Sequence, residues 1–470
     1  MGRKQKKKMV YDVPVVDVAD RGKSVAKDAE GKVYFIDKAV PGDVVDILVL
    51  KKKKSFFQGI VKEYKKLSED RVEARCEHFG ICGGCKWQHL DYNAQLGFKS
   101  NTVVNAMTRI GKLDASLIQP IKGAKQIFNY RNKLEYSFSS KRWLTDAEVA
   151  TDGKIEQSPA LGFHAPGAFD KVVDVNTCHL QDDLSNEIRN FTRDYTHKHG
   201  MEYYDARAHT GLMRNMVVRN TTLGHWMIIM SFAKEDDRIM PFLDVLKEKF
   251  PKISSLHYVI NKKMNDTILD QDIILYHGEP FIIEQLGDVK YKIGPKSFFQ
   301  TNTAQANVLF DTVVEFAELK GDENVYDLYT GLGSIALYVS KSASHVTGIE
   351  EVAAAITDAK ENARFNAIEN TTFYAGDVKD ILTDDFSTKH GKPDLVITDP
   401  PRVGMHKDVV ETLLKLEAPK VLYVSCNPAT QARDLQLLSE KYDTVRMQPV
   451  DMFPHTHHIE NVALLKLKGT

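Results

Sequence analysis

Residues 323–350, ENVYDLYTGLGSIALYVSKSASHVTGIE, decide the fold of the C-terminal part of the chain. A strand-like apolar segment leads into a loop with the pattern G-x-G-x-x-A between Gly331 and Ala336, and a helical stretch then leads to a second strand-like segment. Glycines in such a loop let the backbone approach a ligand closely, and a carboxylate at the end of the next strand can bind ribose hydroxyls. Glu350, 19 positions after Gly331, has that place. This β-α-β unit predicts a nucleotide-containing ligand at the glycine loop.

The same alternation of strands and helices continues toward the C-terminus. The later strand-like segments are TTFYAGD (371–377), PDLVITD (393–399) and KVLYVS (420–425), and the helical stretches include VAAAITDAKENARFNA (352–367) and KDVVETLLKLE (407–417). This pattern predicts an α/β fold with a doubly wound, mainly parallel, Rossmann-like sheet. Since ligands bind beyond the carboxyl ends of parallel strands, one crevice should be faced by Asp327, Glu350, Asp377, Asp399 and Cys426.

Two ligand classes are compatible with the glycine loop. A nicotinamide dinucleotide, and hence a dehydrogenase, is the first. S-adenosylmethionine is the second, and two features favour it. Asp327 stands four residues before the first glycine at the strand end, and Asp399-Pro-Pro-Arg402 ends a later strand beside the same cleft.

A cysteine follows the last of these strands, in VLYVSCNPAT (421–430). Cysteine is more often a small buried apolar residue than a nucleophile. At the carboxyl end of a strand, beside the ligand crevice, Cys426 is better placed for nucleophilic chemistry. Asn427 and Pro428 predict a turn that ends the strand and leaves the sulfur exposed.

The other four cysteines form a separate group. Three of them, Cys76, Cys82 and Cys85, stand in one short loop with two glycines between the last two, and Cys178 is distant. An odd total of five, in a chain with no secretory signal pattern, makes a disulfide framework unexpected. Zinc sites usually pair their ligands two and two, so the three-plus-one spacing favours an iron–sulfur cluster over zinc.

The N-terminal part has a different character. Residues 12–66 contain short alternating apolar runs separated by glycines and a Pro-Gly-Asp turn, which predicts a small β-barrel. Residues 1–70 carry 17 Lys and Arg against 11 Asp and Glu, a net charge of +6, whereas the remainder carries −7. The basic segment suggests contact with a polyanion, and the run Lys51 to Lys54 either binds phosphates or protects a sheet edge from pairing.

No targeting or membrane segment is evident. MGRKQKKK has no apolar stretch behind it for a signal peptide, Lys6 stands where a myristoylation signal needs Ser or Thr, and no apolar run approaches a membrane span. We therefore expect a cytoplasmic protein with no membrane partner.

Five motifs in order resemble one family. These are CGGCKWQHLDYNAQLGFK (82–99), DLYTGLG (327–333), DPPRVG (399–404), VSCNPAT (424–430) and FPHTHHIE (453–460). Together they resemble the RNA uracil-5 methyltransferases, and most closely the 23S ribosomal RNA enzymes that carry a TRAM domain and a 4Fe-4S cluster. The resemblance implies an OB-like TRAM barrel (1–66), a central α+β iron–sulfur and RNA-binding domain (67–285), and a methyltransferase domain (286–470). It also implies that residues 88–120 pack on the catalytic domain.

The same resemblance implies roles for individual residues. Cys426 would attack carbon 6 of uracil and Glu460 would be the general base. S-adenosylmethionine would be bound by Gln300, Tyr329, Ser334, Glu350, Asp377 and Asp399. The cluster would be held by Cys76, Cys82, Cys85 and Cys178. Contacts to the RNA backbone could come from the barrel and from Arg131, Lys133, Arg214 and Arg219.

The substrate implied is 23S ribosomal RNA. We expect a monomer, because nothing in the sequence demands a larger assembly. Family members that act on the T-loop of transfer RNA typically lack the barrel and the cluster cysteines, which argues against that substrate. A noncatalytic iron–sulfur RNA-binding or assembly factor is the other alternative, and the presence of both Cys426 and Glu460 counts against it.

Overall fold

The structure is a computed structural model that describes residues 8–19, 22–150 and 157–469. The basic heptapeptide at the N-terminus, part of the expected polyanion contact, lies outside the described residues. Within the described residues, no helix combines the length and apolar character needed to cross a bilayer.

A closed five-stranded barrel forms the N-terminal unit, as the alternating runs predicted. Val13, Val15, Val45 and Ile47 alternate along two of its strands and point into the barrel core, where all four are buried. The strands follow the order β1-β2-β3-β5-β4 and comprise β1 (Lys8–Val18), β2 (Ser24–Lys27), β3 (Val33–Ile36), β4 (Val44–Lys52) and β5 (Phe57–Lys66).

An irregular segment with the three clustered cysteines connects the barrel to helix α1 (Tyr92–Arg109). Asp91 caps this helix by accepting hydrogen bonds from the backbone N–H groups of Asn93 and Ala94. Val103 and Met107, on its buried face, belong to the same apolar cluster as side chains of the C-terminal sheet and its helices. Helix α1 therefore packs on the C-terminal unit, although it precedes the central sheet in the chain.

The central unit is a seven-stranded sheet of order β12-β11-β10-β9-β6-β7-β8. Only β10 and β11 are parallel neighbours. Helices α3 and α4 cover one face and bury it in an apolar cluster. The elements are β6 (Lys133–Ser139), α2 (Asp146–Val149), β7 (Ala160–His164), β8 (Val172–Asp174), α3 (Asp183–Lys198), β9 (Met213–Asn220), β10 (Trp226–Phe232), α4 (Ile239–Lys249), β11 (Ile253–Ile260) and β12 (Ile274–Gly278).

The C-terminal unit contains the doubly wound sheet that the sequence predicted. Its order is β17-β16-β15-β18-β19-β21-β20, and β15 to β19 pair in parallel. A separate hairpin precedes it. The strands are β13 (Ile282–Leu286) and β14 (Val289–Ile293) in the hairpin, then β15 (Asn324–Leu328), β16 (His345–Glu350), β17 (Thr371–Ala375), β18 (Leu395–Thr398), β19 (Lys420–Ser425), β20 (Tyr442–Val450) and β21 (Glu460–Leu467).

Helices cover both faces of this sheet, and an apolar cluster lies on each side. They are α5 (Thr303–Ala317), α6 (Ser334–Val339), α7 (Ala353–Phe365), α8 (Val378–Ile381), α9 (Asp384–His390), α10 (Lys407–Leu416) and α11 (Pro428–Leu438). The last two strands, β20 and β21, join the sheet in antiparallel orientation. That addition places the start of β21 at the same edge as the carboxyl ends of the parallel strands.

Candidate active site

A cavity of about 830 Å³ lies where the cysteine loop, the central sheet and the carboxyl ends of the C-terminal strands meet. It brings together eight of the twelve side chains that the motifs singled out. Those eight are Cys76, Cys82, Cys85, Cys178, Gln300, Asp399, Cys426 and Glu460.

Cys426 stands between the end of β19 and the start of α11. The predicted turn after it is the beginning of this helix, because the Asn427 side chain accepts the backbone N–H of Ala429 and Pro428 takes the first helical position. The unpaired N–H groups and dipole of a helix N-terminus favour a nearby negative charge. The start of α11 therefore lowers the energetic cost of a negative charge on Cys426.

Glu460 is brought beside Cys426 by strand register. β19 and β21 are antiparallel and pair Ser425 with Asn461, so the next residues in register are Cys426 and Glu460. Only 7% of Glu460 is exposed. Burial, reinforced by the neighbouring Asp399, raises the pKa of the Glu460 carboxyl well above its usual range.

Asp399 follows β18 in the same cavity, and burial raises its pKa to about 7. Burial also raises the pKa of the Cys426 thiol, to about 11, and the two carboxyls add to that shift. Burial is the largest cause of all three shifts, and it disfavours the charged forms of the thiol and of both acids.

Arg402 is the cation that opposes this effect, and it was given no role from the sequence. It lowers the pKa of Cys426 through a hydrogen bond and its charge. Its backbone carbonyl accepts hydrogen bonds from Asn427 Nδ2 at 2.9 Å and Thr430 Oγ1 at 3.3 Å, which hold the Arg402 loop against the start of α11. Its position in Asp399-Pro-Pro-Arg402, three residues after a strand-end acid, was the available signal.

The glycine loop after β15 has left-handed backbone at Tyr329, Gly331 and Gly333. The Asp327 carboxyl accepts hydrogen bonds from Thr330 Oγ1 and, at 3.0 Å, from the backbone N–H of Ala336, so it fixes the loop from inside. A Cβ on Gly333 would lie 3.2 Å from the Cβ of Ala359. The absence of a side chain at Gly333 therefore lets this loop pack closely on α7.

The remaining four predicted cofactor residues do not line the cavity, but they lie along the same edge of the sheet. Glu350 accepts hydrogen bonds from the backbone N–H groups of Gly331 and Val352. Ser334 begins α6, and Asp377 caps α8 and pairs with Lys379 at 2.6 Å. Glu350 is the last residue of β16, and Tyr329, Ser334 and Asp377 lie in the segments that follow β15 and β17.

The four cysteines of the cavity wall are free thiols. Burial raises the pKa of each of the four, to about 11 for Cys82 and about 12 for Cys85. The neighbouring thiols add to the shift for Cys76, Cys82 and Cys85. Gln88 bridges the loop, since its Nε2 donates to Cys85 Sγ at 3.2 Å and its Oε1 accepts from Cys76 N at 3.1 Å. Within residues 8–19, 22–150 and 157–469, no three His, Cys, Asp or Glu side chains are grouped as ligands of a metal ion. The metal centre stays a prediction.

Comparison with known proteins identifies the family. The family model for tRNA (Uracil-5-)-methyltransferase matches residues 221–468, more than half of the chain. The chain belongs to the RNA uracil-5 methyltransferase family. Two proteins described as uncharacterized RNA methyltransferases are each 49% identical to it. The one from Bacteroides thetaiotaomicron aligns over 96% of this chain and 100% of its own length, and the one from Porphyromonas gingivalis over 96% and 98%.

A solved structure is similar over the same extent. It is the Pyrococcus abyssi tRNA (uracil-54, C5)-methyltransferase in complex with S-adenosyl-L-homocysteine, with a TM-score of 0.74 and 26% identity over 96% of this chain and 100% of that one. Coverage of 96% necessarily includes most of the N-terminal barrel. The barrel therefore does not by itself decide between ribosomal and transfer RNA as the substrate, which stays a prediction.

Two of the four basic residues proposed to contact RNA are buried in this methyltransferase, so that expectation was wrong for them. Arg214 is 2% exposed and donates to the backbone carbonyls of Asn261 and Asn265. Arg219 is 5% exposed and donates to the carbonyl of Ser297. Both side chains organise loops of the protein, whereas Arg131 lines the cavity.

Proposed function

We propose that this protein transfers a methyl group from S-adenosylmethionine to carbon 5 of a uridine in RNA, through a covalent bond between Cys426 and carbon 6. The observation that carries the proposal is the shared cavity of Cys426, Glu460 and Asp399 at the strand ends, beside the glycine loop. A nucleophile with carboxyls in one cavity fits a reaction that adds a thiolate and later removes a proton.

The chemistry needs a nucleophile because carbon 5 of uracil reacts poorly with a sulfonium methyl group. Addition of the Cys426 thiolate forms a sulfur–carbon 6 bond and moves the ring electrons into an enolate. Carbon 5 then takes the methyl group that S-adenosylmethionine supplies. Removal of the carbon 5 proton by Glu460 restores the ring double bond and expels the Cys426 thiolate.

Glu460 suits the proton-removal step. Its raised pKa makes its carboxylate a stronger proton acceptor than an exposed glutamate. Asp399 orients groups at the reaction centre through hydrogen bonds, and Arg402 stabilises the Cys426 thiolate.

We propose that the methyl donor is bound by Gln300, Tyr329, Ser334, Glu350, Asp377 and Asp399. All but Gln300 lie along the carboxyl edge of the sheet, where ligands of open α/β sheets bind. Gln300 lines the cavity together with Asp399. The Pyrococcus abyssi protein, whose structure contains S-adenosyl-L-homocysteine, supports the choice of donor.

We further propose a 4Fe-4S cluster on Cys76, Cys82, Cys85 and Cys178. Four free thiols on one cavity wall, with a side-chain donor directed at the Cys85 sulfur, fit such a group. Zinc sites usually pair their ligands two and two, whereas the three-plus-one spacing of these cysteines favours the cluster. Methyl transfer consumes no electrons, so the cluster would be structural.

The motifs favour 23S ribosomal RNA as the substrate, bound by a cytoplasmic monomer through a TRAM barrel and the central domain. Transfer RNA is the second candidate, because the Pyrococcus abyssi protein that is similar over 96% of this chain is a tRNA (uracil-54, C5)-methyltransferase.

A trapping experiment tests the proposal. Protein purified without oxygen is incubated with S-adenosylmethionine and total RNA that contains 5-fluorouridine. Fluorine at carbon 5 cannot be removed as a proton, so we expect a covalent protein–RNA complex that survives a denaturing gel. Sequencing the attached RNA identifies the substrate. Recovery of 23S fragments supports the first candidate and recovery of transfer RNA the second.

Cys426→Ala is the control for this trap. We expect it to form no complex while it still binds S-adenosylhomocysteine. A covalent complex in that variant, or none from wild-type protein that binds S-adenosylhomocysteine, contradicts the mechanism. Wild-type protein that retains RNA without a covalent bond supports the noncatalytic alternative.

A further inference from the structure

Glu460 is preceded by a nine-residue connection, residues 451–459, between β20 and β21. This segment, called here the base loop, is irregular and largely buried, and its Phe453, Thr456 and His458 line the active-site cavity. Buried backbone carbonyls without secondary structure need hydrogen-bond donors from elsewhere. The position of the base loop therefore depends on the elements that supply them.

Five successive carbonyls of the base loop, from Asp451 to His455, each accept a hydrogen bond from outside the loop. The donors are Gln305 Nε2 (2.7 Å), Asn302 Nδ2 (2.9 Å), Lys99 Nζ (3.0 Å), Tyr130 Oη (3.0 Å), and the backbone N–H groups of Lys86 and Trp87 (2.8 and 3.0 Å), in the order of the carbonyls. The last two belong to the segment directly after Cys85. Helix α1 and the cysteine segment thus contact the loop that leads to Glu460.

Lys99 forms an ion pair that is completely buried. Its Nζ lies 2.6 Å from Asp451 Oδ1, and both side chains are 0% exposed. The Asp451 carboxylate also accepts hydrogen bonds from Tyr92 Oη at 2.8 Å and from the backbone N–H of Phe453 at 3.0 Å. A buried ion pair contributes little net stability compared with a well-packed apolar pair. Its geometric consequence is larger, because Lys99 also binds the Phe453 carbonyl and so fixes the first turn of the base loop.

Gln95, one turn earlier on the same face of α1, binds the base loop at a second point, His455. Its Oε1 accepts the backbone N–H of His455 at 2.8 Å, and its Nε2 donates to the carbonyls of Trp87 and Leu90. His455 has a left-handed φ of +64°, a conformation that costs energy for a residue with a side chain. Bonds to both its N–H and its carbonyl hold it there.

We propose that Gln95 and Lys99 are positioning residues that hold the base loop so that the Glu460 carboxylate stands beside Cys426. The proposal rests on the proposed role of Glu460 as the base. Neither side chain lines the cavity, so neither touches the substrate. Displacement of the loop impairs removal of the carbon 5 proton, whereas the Cys426 nucleophile, held by β19 and α11, is unaffected.

The test uses ordinary uridine RNA and follows both the methylated product and the covalent protein–RNA complex. If proton removal fails, the methylated adduct cannot eliminate and accumulates. We expect Glu460→Gln, Gln95→Leu and Lys99→Met to accumulate the adduct. For the last two, turnover should fall on the order of 10- to 100-fold, the effect of a displacement of about 1 Å. Affinity for S-adenosylhomocysteine should be unchanged. Asn101→Ala, on the exposed face of α1, is the matched control and should behave as wild type.

Lys99→Met leaves the Asp451 charge buried without its partner and can destabilise the protein. The double variant Lys99→Met/Asp451→Asn removes both charges. We expect its melting temperature to return toward wild type while the adduct still accumulates, because the Phe453 carbonyl still lacks Lys99.

The outcomes separate the two proposals. A double variant with wild-type turnover, or Gln95→Leu that loses adduct and product in equal proportion, shows that these residues only stabilise the fold and overturns the inference. If Glu460→Gln itself accumulates no adduct, the role of Glu460 fails, and the inference fails with it.

Discussion

The reactivity of Cys426 is set by opposing local effects. Burial and the neighbouring Glu460 and Asp399 raise the pKa of its thiol to about 11, whereas Arg402 lowers it. The N-terminus of α11 also favours the thiolate. The raising effects are larger, so the net shift disfavours the thiolate.

The pH dependence of alkylation follows from this balance. Since only the thiolate reacts, the rate at Cys426 should rise about tenfold for each pH unit below the pKa. We therefore expect it to keep rising from neutral pH to about 11. Arg402→Gln removes the group that lowers the pKa, so its profile should shift to higher pH and its rate at neutral pH should fall. Iodoacetamide labelling, followed by mass spectrometry of the Cys426 peptide, measures both.

Arg402→Lys is the control, because it keeps a positive charge and should shift the profile less than Arg402→Gln. A profile for Arg402→Gln that coincides with wild type, or that shifts to lower pH, contradicts the assigned influence of Arg402 on the thiol.

Sequence could predict residues whose role follows from local pattern. Cys426 follows a strand and precedes a helix start, and Asp399 ends the neighbouring strand, so their shared edge was predictable. The role of Lys99 was not predictable, because its partner Asp451 is 352 residues away in the chain. Arg214 and Arg219 were misassigned for a similar reason. Their charge suggested RNA contact, but distant carbonyls bury them.

At the scale of elements, the cysteine loop depends on close packing against a turn of the central unit. Gly83 has a φ of +76°, and a Cβ there would lie 2.5 Å from Cγ of Pro166. Contact at that distance requires the loop or the turn to move. The position of Cys82 and Cys85 relative to Cys178 therefore depends on the absence of a side chain at Gly83.

Gly83→Ala should consequently reduce assembly of the proposed cluster. We expect less iron and acid-labile sulfide per protein after anaerobic purification, because the displaced loop no longer presents its thiolates together. Gly167→Ala is a close control, since Gly167 has a φ of +80° and a Cβ there would meet no other atom within 4 Å. It carries the same backbone strain without the clash. Equal iron content in the two variants contradicts the packing argument.

The β-α units from β15 to β19 were predictable because each follows from a local run of apolar residues and a turn. The antiparallel pair β20 and β21 was not predicted, because its register depends on pairing with β19 and its connection is irregular. This unpredicted pair places Glu460 beside Cys426. The family motif named Glu460, but only the sheet topology shows why it is there.

At the scale of the whole molecule, closure of the barrel bears on whether Lys51 to Lys54 protect a sheet edge or bind phosphates. Edge protection requires an open sheet edge, but β4 pairs with both β1 and β5 in a closed barrel. Closure removes the edge that lysines would protect. The four lysines are exposed at the hairpin between β4 and β5, beside the half-buried rings of Phe56 and Phe57. Basic side chains next to aromatic rings are typical of single-stranded RNA contacts.

The hairpin lysines should therefore contribute to RNA affinity in a salt-dependent way. Each lysine that neutralises a phosphate of a single strand contributes about 0.7 to the slope of log affinity against log salt. For Lys53→Gln/Lys54→Gln we expect weaker binding of a uridine-containing RNA oligonucleotide and a slope reduced by up to about 1.4. Binding of S-adenosylhomocysteine should not change, because the barrel contributes no residue to the cavity.

Lys249→Gln/Lys252→Gln is the matched control. It removes two exposed lysines at the end of α4 and should leave the slope unchanged. Equal slopes for the two double variants would contradict a contact between the hairpin lysines and RNA phosphates.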